Sequence, residues 1–398
     1  MRKGWAVLIS GLAVLAAAEP AAAVSAFARR YGVRCHFCHD GYPKLNAVGQ
    51  RFKERGFRME NEGDFDADAW LRSVPVTVRP QVNRFFIEDG DGTTTGYVKV
   101  IAPGNLGGRL AYWVDDAVLI TEGDDNFRHV EPDNAWARVE IVPEGKLYVR
   151  AGRIELDLPF TQARTPHLLP YEIYFANTGF ETDSLGFHQE GVEVGGDLPG
   201  DGRWSAAVVS GHDSAEMEAL SDDVDDFEAN VYLRASRRLE RHRIGAFAYL
   251  GRNTLATTVP GVGAQGPAVL VWDDDLLRLG VDASVWVDRL NLYGLYMYGR
   301  NDNSIADRAN PSGTGESLSF SGGFVQADLH LRDWMALTAR LNVVSRPPGR
   351  SAGSRETLSS VFPGIKLWAL ERIKLSFEYG FHNQDRPNFG AVQAELVL

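Results

Sequence analysis

The sequence predicts an all-β transmembrane barrel of about sixteen antiparallel strands, preceded by a small α-helical unit. Three observations carry this expectation. From residue 75 to 398 the chain runs in segments of about ten residues that alternate apolar and polar side chains, the unit of a membrane-crossing strand. The links between those segments alternate between short and long. Finally, residues 1–23 read as an export signal, and no later stretch offers the ~20 uninterrupted apolar residues of a membrane helix.

The leader is read from its parts. Arg2 and Lys3 form a positive head, an apolar run spans Trp5 to Ala18, and Ala21-Ala22-Ala23 supplies small residues for cleavage. The exported chain of 398 − 23 residues is acidic, since the whole carries a formal charge of −12. That balance argues against a nucleic-acid partner, which shows as a basic patch or stripe. An apolar content of 44% with 11% aromatics excludes intrinsic disorder. Two cysteines are too few for a disulfide framework.

Those two cysteines stand in Cys35-His36-Phe37-Cys38-His39. The C-x-x-C-H spacing lets two thiols add to the vinyl groups of a haem while the adjacent His39 supplies the proximal nitrogen to iron. A thiol redox pair would leave His39 unexplained, and a zinc site would want further Cys or His at ligand spacing. One covalent haem c on Cys35 and Cys38 is therefore expected. Met59, about twenty residues downstream, is the candidate sixth ligand for a Met/His iron. His167, His382 or a five-coordinate iron are the other possibilities. Leu45, Val48 and Phe52 recur at i, i+3 and i+7, which predicts a helix over Tyr42 to Phe57 with Gly56 at its C-terminal end.

Residues 24–60 hold eight basic residues against Asp40, Glu54 and Glu60, a surplus of +5. Without Arg2, Lys3 and Glu19, the rest of the exported chain sums to −18. A basic unit tethered to an acidic body tends to dock on it. The expected organisation is a signal over 1–23, a monohaem unit over 24–74 and a porin-like barrel over 75–398.

The strands are expected near 75–87, 94–103, 109–121, 133–142, 145–155, 187–197, 203–212, 227–236, 243–252, 277–287, 289–300, 316–329, 334–346, 358–369, 372–382 and 389–398. Links such as Pro143-Glu144, Asp288 and Glu371 are short; 156–186, 213–226, 253–276 and 301–315 are long. Short turns belong to the periplasmic rim of an outer-membrane barrel. Alternation in strand 3 breaks around Asp115-Asp116, where a bulge would fit. Acidic residues crowd the long-loop side, notably 213–226 and Asp273 to Asp275, which would enrich cations there. Loop 156–186 is too apolar to stay in water and is expected to fold against the barrel or the haem unit. A soluble β-domain gives similar alternation; a propeller would need a repeat of about 40–50 residues, which the sequence lacks.

Phe27 to His39, followed by Phe52 and Arg55-Gly56-Phe57, resembles the fused outer-membrane monohaem cytochrome–porins, best known from iron-oxidising bacteria. Signal, single haem motif, helix and barrel occur in that family's order. The resemblance implies haem on Cys35 and Cys38, iron on His39, and a cytochrome that plugs the porin. It implies electron transfer from an extracellular donor such as Fe(II) to periplasmic electron carriers. A passive porin with a haem-containing plug or sensor, and a soluble periplasmic cytochrome with a β-domain, are the alternatives.

Overall fold

A computed structural model describes residues 26–59, 75–88, 90, 92–122, 125–127, 133–161, 164–175, 185–186, 188–211, 228–259, 268–302, 317–346, 356–369, 372–383 and 387–398. The signal over 1–23, the acidic loop 213–226 and residues 60–74 lie outside them.

Sixteen long strands run antiparallel: β1 (Thr77–Ile87), β2 (Thr94–Asn105), β3 (Leu110–Glu122), β5 (Asn134–Val142), β6 (Leu147–Glu155), β7 (His188–Leu198), β8 (Gly202–Val209), β9 (Asn230–Leu239), β10 (His242–Val259), β11 (Ala268–Val287), β12 (Leu290–Asn301), β13 (Leu318–Arg332), β14 (Met335–Arg346), β15 (Glu356–Ala369), β16 (Ile373–His382) and β17 (Phe389–Leu396). A three-residue strand, β4 (Asp125–Phe127), adds only to the end of β3 and was not expected. Each long strand pairs with its sequence neighbours, and β1 pairs with β17 from Gln81↔Glu395 to Ile87↔Phe389, so the sheet closes. Closure leaves no edge amides to satisfy, the condition for crossing hydrocarbon with strands.

The two faces are inverted relative to a soluble protein. Val281, Val287, Val325 and Ile244 point outward and are exposed. Arg234, Asp282, Asn291, Gln326, Asp328, Arg340, Lys366 and Glu378 point inward and are buried. Apolar side chains outside and polar ones inside are what a lipid-embedded barrel requires. This arrangement displaces the soluble β-domain reading.

Three local expectations are corrected. The bulge sits at Val118, not at Asp115-Asp116: Val98 pairs with Leu119 and Lys99 with Ala117, so Val118 and Leu119 both face outward. Most of 253–276 is not loop, because β10 and β11 stay paired out to Val259↔Ala268. The helix over 42–57 is only α2 (Ala47–Glu54), because Asn46 caps it: Oδ1 accepts from Val48 and Gly49 N–H at 3.0 Å each. Of the expected stripe, Phe52 is buried while Val48 is 38% exposed.

Two segments fill the barrel. From the short-turn mouth enters the N-terminal unit, α1 (Ala26–Tyr31), the motif turn and α2. From the other side, loop 156–175 folds inward as expected. Its Leu156, Leu158, Phe160, Tyr171, Ile173 and Tyr174 pack on Tyr232, Phe247, Tyr293, Leu295 and Phe324 of the wall.

Val281 lies six residues from the short-turn end of β11 and is 56% exposed. Val281→Arg is expected to destabilise the barrel by about 2–4 kcal/mol, the cost of a cation near the bilayer midplane. Urea unfolding in lipid vesicles measures it, with a conservative Val281→Leu as the neutral control.

Candidate functional site

The motif is wound into a tight turn. A 3-10 segment, Cys35–Phe37, is followed by Cys38 N–H donating to Cys35 O (3.2 Å) and His39 N–H donating to the same oxygen (3.1 Å). The two cysteines are not joined in a disulfide, and both are partly exposed. Burial, then the neighbouring Cys35, pushes the Cys38 thiol above its usual range. His39 Nδ1 lies 3.1 Å from Pro43 O, and a carbonyl can only accept, so Nδ1 carries the proton. The second nitrogen, Nε2, then bears the lone pair. Burial is the largest cause that brings the imidazole down to about 4, so the ring is neutral. A neutral His with its far nitrogen fixed on a backbone carbonyl is the state a metal ligand needs.

Asn46 ties the turn to the helix. Besides capping α2, its Nδ2 donates to Phe37 O (3.0 Å) and His36 O (3.3 Å), and its backbone N–H donates to Cys38 O (2.9 Å). Gly49 lies against that same Cys38 carbonyl; a Cβ there would fall 2.2 Å from the oxygen. Asn46 and Gly49 were not singled out from sequence, although an Asn before an apolar run is a helix-start signal. Phe37, between the two cysteines in sequence, and Val48, next to Gly49, are left 43% and 38% exposed. Two thiols, a neutral imidazole and adjoining uncovered apolar side chains form a donor set and surface that fit a covalently attached haem.

The unit is held by both charge and aromatic packing. Lys44 Nζ pairs with Asp328 (3.1 Å) and lies over the Tyr293 ring, 4.1 Å from its centre. Arg58 pairs with Glu140 (2.8 Å), and Glu54 pairs in the opposite sense with Arg238 (2.8 Å) and Arg203. Trp368 Nε1–H donates to Tyr42 O (2.9 Å). Phe57 stacks toward Trp113 and Trp136 of the wall, with Phe27 and Phe52 behind it.

Met59 packs in this aromatic cluster, on the Trp113 and Trp136 side. His39 lies instead against Tyr42 and Pro43, on the Trp368 side. His167 sits in the lumen: Nδ1 is 2.9 Å from Glu378, and Nε2 is 3.3 Å from Asp328 and 3.0 Å from Tyr293 OH. His382, at the far end of β16, stacks on Phe389 and lies 3.7 Å from Glu172. The structure thus joins Cys35, Cys38 and His39 in one turn and holds His167 and His382 in other partnerships.

The fold defines a porin-type β-barrel, the class built by bacterial outer-membrane porins. No protein-family model matches the chain, and no curated protein matches it. Solved structures do. A loop L8 deletion mutant of OmpT, an outer membrane protein of Vibrio cholerae, is 13% identical and superposes with a TM-score of 0.55, over 81% of this chain and 98% of that one. An anion-selective porin from Comamonas acidovorans is 12% identical with a TM-score of 0.56, over 81% and 98%. Salmonella typhi OmpF, solved with daunomycin, is 10% identical with a TM-score of 0.54, over 81% and 97%. At these identities the likeness is one of fold.

Asn46→Ala removes a helix cap and two bonds to the motif turn. It is expected to cost about 1 kcal/mol or somewhat more and to open residues 34–51. Limited trypsin cleavage at Arg34 and Arg51 should quicken while strands 77–396 stay protected.

Proposed function

We propose that the chain is an electron-transfer protein of the bacterial outer membrane, carrying one haem c in a plug seated in a porin-like barrel. The observation that carries the reading is the Cys35–His39 turn, with its neutral His39, anchored inside the mouth of a closed barrel. Cys35 and Cys38 would hold the haem covalently, His39 Nε2 would ligate its iron, and Met59 would be the candidate second iron ligand. When bound, haem supplies a one-electron Fe(III)/Fe(II) couple. The chain's part is positional. Pro43 O fixes the imidazole, Asn46 and Gly49 shape the turn, and Lys44, Glu54 and Arg58 set how the unit sits in the barrel.

In this reading the short-turn mouth faces the periplasm, where soluble electron carriers are the partners, and the long-loop side faces an external donor such as Fe(II). The acidic Asp273 and Asp275 on that side are engaged by Arg252 (3.6 and 2.7 Å). A passive porin with a haem-containing plug is the second reading, favoured by the porin folds it superposes on.

Purified full-length protein is expected to carry one covalent haem by mass, lost completely in Cys35→Ala/Cys38→Ala. Addition of Fe(II) should convert its absorption spectrum to the reduced form. A haem-loaded protein that stays oxidised under excess Fe(II), yet passes steady ionic current in planar bilayers, would overturn electron uptake in favour of the passive porin. Met59→Ala should shift the reduction potential if the thioether ligates iron; an unchanged spectrum assigns Met59 to the aromatic cluster alone.

A further inference from the structure

Cations from the plug, the inserted loop and the wall converge around Asp157, whose exposure marks a polar space among them. Asp157 identifies it as wet. Its backbone oxygen accepts from the buried Tyr232 OH (3.0 Å) and its carboxylate lies 3.5 Å from the buried Arg234, both inside the barrel, yet its side chain is 49% exposed. Around it stand Arg164 from the loop, Arg150, Arg234 and Arg243 from the wall, and Lys53 from α2 of the plug.

The nearby carboxylates are already engaged. Glu193 accepts from Arg150 (2.8 Å) and Tyr148 OH (2.8 Å). Glu155 accepts from Thr161 OH (2.9 Å) and Arg164 (3.3 Å), and Asp157 accepts from Arg164 (3.0 Å). Asp282 takes both terminal nitrogens of Arg234 and has Arg243 at 3.8 Å. What remains is positive. Among the described residues, the buried Nε groups of Arg150, Arg164 and Arg243 have no hydrogen-bond acceptor. Lys53 Nζ has no hydrogen bond or ion pair among the described residues; burial first, and then Arg164, bring the ammonium down to about 8. Buried donors without acceptors cost free energy, and guanidinium forks match the geometry of carboxylates and oxyanions.

We propose that this space is an anion-binding chamber, taking a carboxylate or small oxyanion on Lys53, Arg150, Arg164 and Arg243. Two sources offer that chemistry: the propionates of the covalently held haem, or a free anion from solution. The first rests on the haem reading above; the second does not.

The probe is inorganic phosphate, exchanged for chloride at constant ionic strength, against the full-length chain in detergent. Unfolding midpoint and, for haem-loaded protein, reduction potential are read. Phosphate is expected to raise the midpoint of the haem-free Cys35→Ala/Cys38→Ala chain, because a ligand that binds the folded state stabilises it. Adding Lys53→Met or Arg164→Gln, each checked for native circular dichroism, should weaken the apparent phosphate affinity about tenfold or more. If propionates fill the chamber, phosphate leaves the loaded protein unmoved and Lys53→Met lowers its potential. If a free anion fills it, phosphate stabilises loaded and haem-free chains alike. A midpoint that phosphate does not move in the haem-free chain, or moves equally with and without Lys53 and Arg164, overturns the chamber. A wild-type protein without haem defeats the electron-transfer reading instead, and the phosphate titration still decides the chamber.

Discussion

The rest of the structure depends on closure of the backbone ladder between β1 and β17. In hydrocarbon an unpaired amide has no water to turn to, so the sheet must return on itself. Once it does, every second side chain meets lipid and every other one meets the interior. The outer set must be apolar, and Val281, Val325 and Leu341 are. The inner set is then free to be polar, and here it is crowded with charge. Buried charges need partners. Loop 156–175 and the N-terminal unit supply them, so two segments that look like additions to the barrel complete its interior.

Those partnerships do different work. Taking a Lys and an Asp out of water costs several kcal/mol per ion, so a pair such as Lys44–Asp328 adds little net stability. Removing one partner is another matter, since it strands the other charge. The pairs therefore specify position more than they stabilise. The attraction that seats the plug comes from the Phe27, Phe52 and Phe57 rings against Trp113 and Trp136, whose burial and stacking are favourable without a desolvation penalty. Lys44, Glu54 and Arg58 then fix its rotation, because only one orientation satisfies all three.

Much of the barrel was legible because membrane strands alternate in a period that no helix shares. Where the structure departs from the sequence pattern, a local feature is responsible. Asp115 and Asp116 looked like the break in β3, since charge is conspicuous; the bulge is at the unremarkable Val118, which only pairing with β2 exposes. The β10–β11 hairpin is longer than a membrane crossing of about 9–11 residues needs, and its outer residues lack the alternation that marks a strand. Helix α2 is shorter than the Leu45, Val48 and Phe52 spacing predicts, because Asn46 caps it and leaves Leu45 outside. For the candidate site, C-x-x-C-H singles out Cys35, Cys38 and His39, since haem attachment would fix their spacing. Asn46 and Gly49 act through backbone geometry, which composition does not encode. The surplus of positive charge foretold docking, but not that Glu54, one of the few acids in the unit, would bind two wall arginines.

The depth of insertion gives the electron-transfer reading its physical sense. Asp328 lies four residues above the short-turn end of β13, which is about 14 Å of strand, or about 10 Å along the barrel axis once strand tilt is allowed for. Lys44 reaches it from the plug, so the plug enters well into an apolar band about 25 Å tall. From Asp328 the contacts continue to His167 of the inserted loop and on to Glu378 and Lys366. Plug, wall and loop thus share one buried polar network: displacing the plug takes Lys44 from Asp328, and displacing the loop takes His167 from Asp328 and Glu378. A redox group fixed at Cys35–His39 would be held by that network within the barrel and not beside it. A plug free to swing out into the periplasm would leave the full thickness of the membrane to be crossed.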